Sequence, residues 1–412
     1  MTLYRDRSTI WRLGFIGLIV LGASACSIGP KALKNSHPSY NEALHLIGNQ
    51  ELLLNIVRTR YAESVKFLQV SAINANFKME QNLSVGTSLG VGDIQPTTPL
   101  NLNTELNYAD NATISFRPLE GQAFATRLLN ETPLSTLMVM VRGGWKIEPV
   151  MRILVQRIGR LYNYPEDPSY PQFLALVRLW SSIQDREDIG FVRLPRKPDI
   201  VAESVSPDGF VRGGLDTLHM LVPGKEGKLK IVRPNGLTTI LMITYKDAAE
   251  ADLTDAYLGK PVTRIKAPDG RPRHMIALMD GLDFFNPKRQ PAPNVTKVNV
   301  LLRSHVNQLK YAAQGVDVPE DHQDMIQYRP DAQGSPFDPR PMVQDLIFIR
   351  MKEGPFAPSH ALMSIRYRGY WFYIDDRDLA SKNTFSLLSM IYSLQAEAAS
   401  GGAIQTISVG GG

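Results

Sequence analysis

A chain of 412 residues, 43% of them hydrophobic and 21% charged, carries enough apolar surface for one large core or two smaller ones. Its formal net charge of +5 falls to +3 when the first 25 residues, with three Arg and one Asp, are subtracted; no long basic run remains, so no nucleic-acid partner is expected. Cys26 is the only cysteine, which excludes an intrachain disulfide even in an oxidising compartment.

The first element in chain order is a targeting segment. Arg5, Arg7 and Arg12 precede the apolar run Leu13–Leu21, and small residues then lead to Cys26. That order is the one a secretory signal uses, and the run is shorter than the roughly 20 residues a membrane-spanning helix needs. The ending Ala23-Ser24-Ala25-Cys26 resembles a bacterial lipobox, departing from it at Ala23, where Leu is the common choice. The resemblance implies removal of residues 1–25 and lipidation of Cys26 at the new N-terminus. With Ser27 rather than Asp following, it also implies the outer membrane, with the body facing the periplasm. More than one acyl chain is needed for stable anchoring, which the triacylation implied by a lipobox supplies.

Residues 26–40 read as a lipidated tether, with Gly29, Pro30 and Pro38. Apolar residues at three-and-four spacing predict a helix from Asn41 to about Tyr61. Then Ile73–Gly92 alternates, with apolar residues at odd positions from Ile73 to Val91 and mostly Asn, Ser, Gly and charged residues at even ones. This is the pattern of one long strand with an oily and a wet side. After GDIQPTTPLN, a return strand carries Leu102, Leu106, Tyr108, Ala112, Ile114 and Phe116 at even positions, with Asp110-Asn111 as an expected bulge or turn. Pairing Val91 with Leu102 would set Phe77 opposite Phe116. The whole hairpin unit is assigned to residues 41–118.

Residues 119–190 read as a helical region through WKIEPVMRILVQRIGRLYNY, broken at Gly143-Gly144. The remainder, 191–412, reads as mixed short hairpins and helices. Turns are expected at Asn235-Gly236 and Asp269-Gly270, a helix capped by Asp247 and closed by Gly259, a strand-to-helix junction at Ser304, a hairpin in HALMSIRYRGYWFYIDDRD and a last helix in NTFSLLSMIYSLQAEA. The fold class is α+β: an N-terminal helix, a long amphipathic β-hairpin, a helical region and then antiparallel hairpins with helices. The stretches LLLNIVRTRYAESVKFLQV and RYRGYWFYIDDRDLASK resemble a proteobacterial outer-membrane lipoprotein family, a likeness that implies a class and a location and brings no activity with it.

Catalytic motifs fail on context. GTSLG matches G-x-S-x-G, but Ser88 falls on the wet side of an extended strand rather than at a strand-to-helix elbow. Asp375, Asp376 and Asp378 could supply oxygen ligands to Ca²⁺ or Mg²⁺, yet they lack EF-hand spacing and fit better as the cap of the helix that follows. His219, His274, His305, His322 and His360 are scattered and form no zinc pattern, and His305 reads as a first-turn helix residue. Tyr370-Trp371-Phe372-Tyr373 would be split between strand faces, with Tyr370 and Phe372 together, which favours packing over a ligand platform.

No catalytic residue, metal site or cofactor is therefore expected, and Cys26 is the one assigned site, for lipid attachment. The first functional reading is a structural or adaptor lipoprotein, held at the membrane by its N-terminal lipid and binding an envelope protein partner. The second is a subunit of an oligomeric outer-membrane pore or secretion complex to which residues 73–116 contribute a β-hairpin. A third is an envelope hydrolase with a dispersed site. For the hairpin's oily side, burial in a soluble body is favoured over lipid, because Gln81 and Asp110 interrupt it. Cys26→Ser is expected to release the protein from membranes or leave the precursor unprocessed. Feeding cells labelled palmitate checks this: equal incorporation into wild type and variant would contradict the assignment.

Overall fold

The computed structural model describes residues 28–86, 101–118, 122–196, 199–205, 220–223, 229–233, 236–286, 291, 295–326, 334 and 337–399. Cys26, Ser88, His219 and the segment 1–25 lie outside them. The fold is α+β, as expected. The described residues divide into two compact units: those within 1–51, 66–119 and 396–412 form one, and those within 52–65 and 120–395 the other.

Helix α1 (Ile28–Arg60) begins thirteen positions before the expected start at Asn41, so the stretch expected to be a tether has helical backbone from Ile28. Pro30 sits in its first turn, where the absent N–H would have no partner in the helix. The first unit otherwise consists mainly of strands β1 (Leu68–Gly86) and β2 (Asn101–Pro118), paired antiparallel as a two-stranded sheet. Val85 pairs with Leu102 and Phe77 with Asp110, which corrects the expected Phe77–Phe116 match by six positions. Asp110 and Asn111 continue the ladder without interruption; the irregularity lies between Val70 and Ala72. It has a clear role. The apolar positions of β1 are odd from Ile73 onward but even at Leu68 and Val70, and the extra residue there restores phase, so that Val70 pairs with Phe116 as Ile73 does with Ile114.

In the second unit, Leu52, Leu53, Ile56, Val57 and Tyr61 form the buried stripe of the last turns of α1. Ala62 (φ 57°) ends the helix in the left-handed region, and the amide of Glu63 donates to the Arg58 carbonyl at 2.9 Å. This is a Schellman closure made without the usual glycine. Then follow α2 (Gln122–Leu129), α3 (Leu134–Arg142) and α4 (Ile147–Leu154), with Gly143 and Gly144 at the expected break. The helical reading fails at Val155. Strands β3 (Val155–Ile158) and β4 (Leu161–Tyr162) turn about Gly159, and only then does α5 (Tyr170–Gln184) form, burying Phe173, Leu176, Val177, Trp180 and Ile183.

Strands β5 (Ile189–Pro195), β6 (Asp199–Val205), β7 (Met220–Pro223), β8 (Leu229–Arg233) and β9 (Leu237–Thr244) precede α6 (Ala248–Leu258). The expected hairpin across Asn235-Gly236 is not formed. Strand β8 lies between β6 and β7, whereas β9 is hydrogen-bonded on both edges, to β5 and β11, so β8 and β9 belong to different sheets. Next come β10 (Arg264–Lys266), β11 (Pro272–Asp280), α7 (Gly281–Phe285), β12 (Thr296–Leu302), α8 (His305–Ala312) and α9 (Arg340–Val343). The chain of described elements closes with β13 (Arg350–Lys352), β14 (Ala361–Tyr367), β15 (Tyr370–Asp375) and α10 (Leu379–Ala399).

The main sheet has the order β4-β3-β12-β11-β9-β5, with β10 beside β11, and is antiparallel except for the parallel β11–β12 pair. A second sheet, β13-β15-β14, is tied to the residues after α8 by a bridge between Val316 and Ile349. At that bridge Gly315 presses on the Ile347 carbonyl: a Cβ there would lie 2.1 Å from the oxygen. Gly315→Ala is therefore expected to lower the unfolding free energy by about 1–3 kcal/mol, the usual cost of overpacking. Gly48, within α1 and with open space around its missing Cβ, should behave oppositely, with Gly48→Ala gaining up to about 1 kcal/mol. Urea denaturation of both variants against wild type measures the two signs.

Candidate functional site

Two features of the described residues are built for contact: the β1–β2 ribbon of the first unit and a cavity in the second. At about 3.4 Å per residue the 19-residue β1 runs roughly 60 Å. Directly opposed residues share a face. One face carries the pairs Ile73–Ile114, Ala75–Ala112, Met79–Tyr108 and Val85–Leu102; the other carries Asn74–Thr113, Asn76–Asn111, Glu80–Asn107, Asn82–Glu105 and Ser84–Asn103. Gln81 and Asp110 fall on the apolar face, opposite Leu106 and Phe77. No third strand joins either edge among the described residues.

The cavity has a volume of about 610 Å³, within the range of small-molecule pockets. The end of α1 and the residues after it supply Arg60, Ala62 and Glu63; the β4–α5 connection supplies Tyr164 and Glu166; β12 and α8 supply Arg303, Asn307, Lys310, Tyr311 and the following Gln314. Arg303 is buried. Its guanidinium donates to the carbonyls of Arg152 (2.6 Å), Val155 (2.9 Å) and Asn163, and lies 4.0 Å from the ring centre of Tyr311.

Comparison of the chain with protein-family models, curated proteins and solved structures finds no match.

The remaining sequence-predicted positions are not brought together. Asp375 accepts from the Arg377 amide (2.9 Å) and lies 3.3 Å from His360; Asp376 is bonded to Lys382; Asp378 accepts from Ser381 N (3.1 Å) and Oγ (2.8 Å) in the first turn of α10. Each carboxylate thus serves a different local donor. The Arg377 amide and the nearby His360 hold Asp375 below the ordinary carboxylate range. Phe372 is fully buried against Tyr61 and Tyr367, and Tyr370 packs on His322 and donates to Asp321 (3.0 Å), so the aromatic run is packing.

His274 is buried beside Tyr245, whose hydroxyl lies 3.0 Å from its Nδ1 and itself donates to Thr254 (3.0 Å); Asp255 stands 3.7 Å from Nε2. The set has the composition of an acid–base relay, with His274, Tyr245 and Thr254 fully buried and Asp255 half-buried at its edge. His305 is buried at the start of α8, against Tyr392, which donates to its carbonyl at 2.7 Å. Sequence reading missed the cavity, whose residues come from separated segments; the spacing of Asn307 and Lys310 on α8 was the available signal.

Burial pushes both His274 and His305 down to about 4 from 6.5. The unfolded chain then binds more protons than the fold between pH 6.5 and 4, so this stability is complete above pH 6.5 and is lost as pH falls toward 4. Urea midpoints measured from pH 7 to 4.5 should fall steadily in wild type, and less steeply in His305→Gln. An unchanged slope in that variant would contradict the assignment.

Proposed function

We propose that the protein is a lipid-anchored outer-membrane subunit that assembles with copies of itself, each contributing its β1–β2 ribbon to a shared β-barrel. The observation that carries this reading is the ribbon: two long strands, paired only with each other among the described residues, with an apolar and a polar face. A lone two-stranded hairpin is marginal in water, and long unpaired edges template further pairing. A bilayer admits strands only when their edges close into a barrel, and about 9–11 residues suffice to cross it. Edge-to-edge addition of copies satisfies the backbone, turns the Asn- and Ser-rich face toward a water-filled lumen and leaves the other face for lipid. The lipid expected on Cys26 would hold each copy at the membrane while the ring forms. A periplasmic adaptor, the first reading of the sequence, would instead lay the apolar face on a partner protein.

Single cysteines in a lipidated background distinguish these. A probe confined to lipid should label the apolar-face positions of at least one half of the ribbon, Ile73 and Ala75 or Leu83 and Val85. Asn74, Asn82 and Ser84 should be reached only by aqueous reagents, and the extracted protein should run as a ring of several copies. Aqueous labelling of every position in isolated outer membranes, or a monomer on gentle extraction, would overturn the proposal.

A further inference from the structure

Left-handed backbone is easy for glycine and costly for other residues, so a side chain held there needs a reason. Among the described residues Ala62, Glu187 and Arg368 have positive φ, and two of them, Ala62 (57°) and Arg368 (49°), stand at the two ends of one ion pair. Ala62 closes α1, and the next residue, Glu63, accepts from Arg368 Nη2 at 2.7 Å. Arg368 opens the two-residue turn of the β14–β15 hairpin, followed by Gly369 (φ 93°), with Tyr367 paired to Tyr370 around it. A turn with positive φ at both positions favours Asn, Asp or Gly at the first. Arginine forgoes that local advantage and gains reach. Its guanidinium lies over the rings of Tyr61 (5.1 Å) and Tyr367 (5.5 Å), and its Nε donates to the Tyr367 hydroxyl at 3.1 Å. Tyr61 is itself buried against Phe372, with its hydroxyl 2.9 Å from His322 Nδ1.

We propose that Arg368 is a positioning residue for assembly, stiffening residues 61–63, from which the chain runs into the β1–β2 ribbon; the proposal rests on the shared-barrel reading. Leu68, the first residue of β1, follows Glu63 by five positions. Joining edge to edge orders every ribbon, and a ribbon free to swing on its root pays that entropy at each contact around the ring. A root stiffened beforehand removes part of this cost. An exposed ion pair alone holds little, but here the same guanidinium also lies on two tyrosine rings, one of them buried. Ala62 serves the same end. Glycine in its place would relieve the left-handed backbone but widen the conformations open to the chain just before Glu63.

The full lipidated chain, extracted gently from outer membranes, tests this through two measurements on each variant: the fraction in rings, and the urea midpoint of the monomer released on dilution. Arg368→Asn suits the turn better than arginine does, so the monomer's urea midpoint should not fall. The ring fraction should nevertheless drop by about threefold or more. Glu63→Gln, which keeps the shape and removes the charge, should lose rings in similar proportion. Glu63→Lys combined with Arg368→Asp reverses the pair and keeps a residue suited to the turn, and should recover most of the rings. Arg368→Asn assembling like wild type would overturn the proposal and leave the shared barrel standing. So would a loss of rings matched by a lower urea midpoint of the monomer, the mark of a merely structural role. Wild type that yields no rings would overturn the shared barrel itself, and this proposal with it.

Discussion

The second unit is organised around one buried guanidinium. Arg303 leaves β12 and places its donors on carbonyls that helix α4 would otherwise use to continue: Arg152 O, Ile153 O and, one step on, Val155 O. A cation at the end of a helix also meets the negative end of its dipole, which offsets part of the cost of burying the charge. The backbone of Arg303 adds two further ties, its amide to Leu154 O at 2.7 Å and its carbonyl to Thr132 N at 3.1 Å. The end of α4, the β3–β4 hairpin, the link before α3 and the start of α8 therefore converge on a single side chain and its own peptide groups. A lysine has one nitrogen and could not span these acceptors; the planar fork can.

Around this centre the polar interior is paired in layers. Arg152, buried, is clamped by Asp345 at 2.7 Å and also donates to the Met342 carbonyl, while Arg178 reaches the same carboxylate from its exposed side at 2.6 Å. Burial alone would push the Asp345 carboxyl up, but its hydrogen bond to Arg152 and the charges of Arg152 and Arg178 hold it below the usual range. The two buried histidines also shift down, but for the opposite reason: burial disfavours their charged form and no equal charge compensates it. Acid therefore acts on this unit in two separate windows, first through the histidines and at lower pH through carboxylates such as Asp345.

What could be read from the sequence was local chemistry. Asp247 accepts from Glu250 N at 2.9 Å and Gly259 closes α6 at φ 68°; Ser304 caps α8 by accepting from Asn307 N; the Asp269-Gly270 and Arg368-Gly369 turns join paired strands. Each of these is decided within a few residues. What could not be read was decided by distant partners. VQRIGRLYNY continues an apolar helical stripe, yet the chain leaves the helix at Val155 because β12 offers a ladder and Arg303 takes the terminal carbonyls. Asn235-Gly236 is a strong local turn, but β9 already has neighbours on both edges, so β8 must pair elsewhere. The cavity was illegible for the same reason, since its walls come from sequence positions as far apart as Arg60 and Phe337.

The ribbon reverses this balance: its faces were legible and its register was not. Alternation assigns faces however the strands are matched, whereas matching depends on where the turn falls. The observed register sets Asp110 and Thr104 opposite Phe77 and Leu83, with Gln81 between these positions on β1, so the polar interruptions of the apolar face form one belt about 20 Å deep rather than separate breaks. A single belt changes the argument about lipid. Polar side chains on the lipid face are costly at the bilayer midplane and cost little near the interface. The ribbon, roughly 60 Å long, far exceeds one crossing, and its apolar face on the base side of the belt holds Val70, Ile73 and Ala75 opposite Phe116, Ile114 and Ala112. Under the shared-barrel reading, the belt then lies at one membrane surface, and the length left over extends the lumen wall beyond the bilayer.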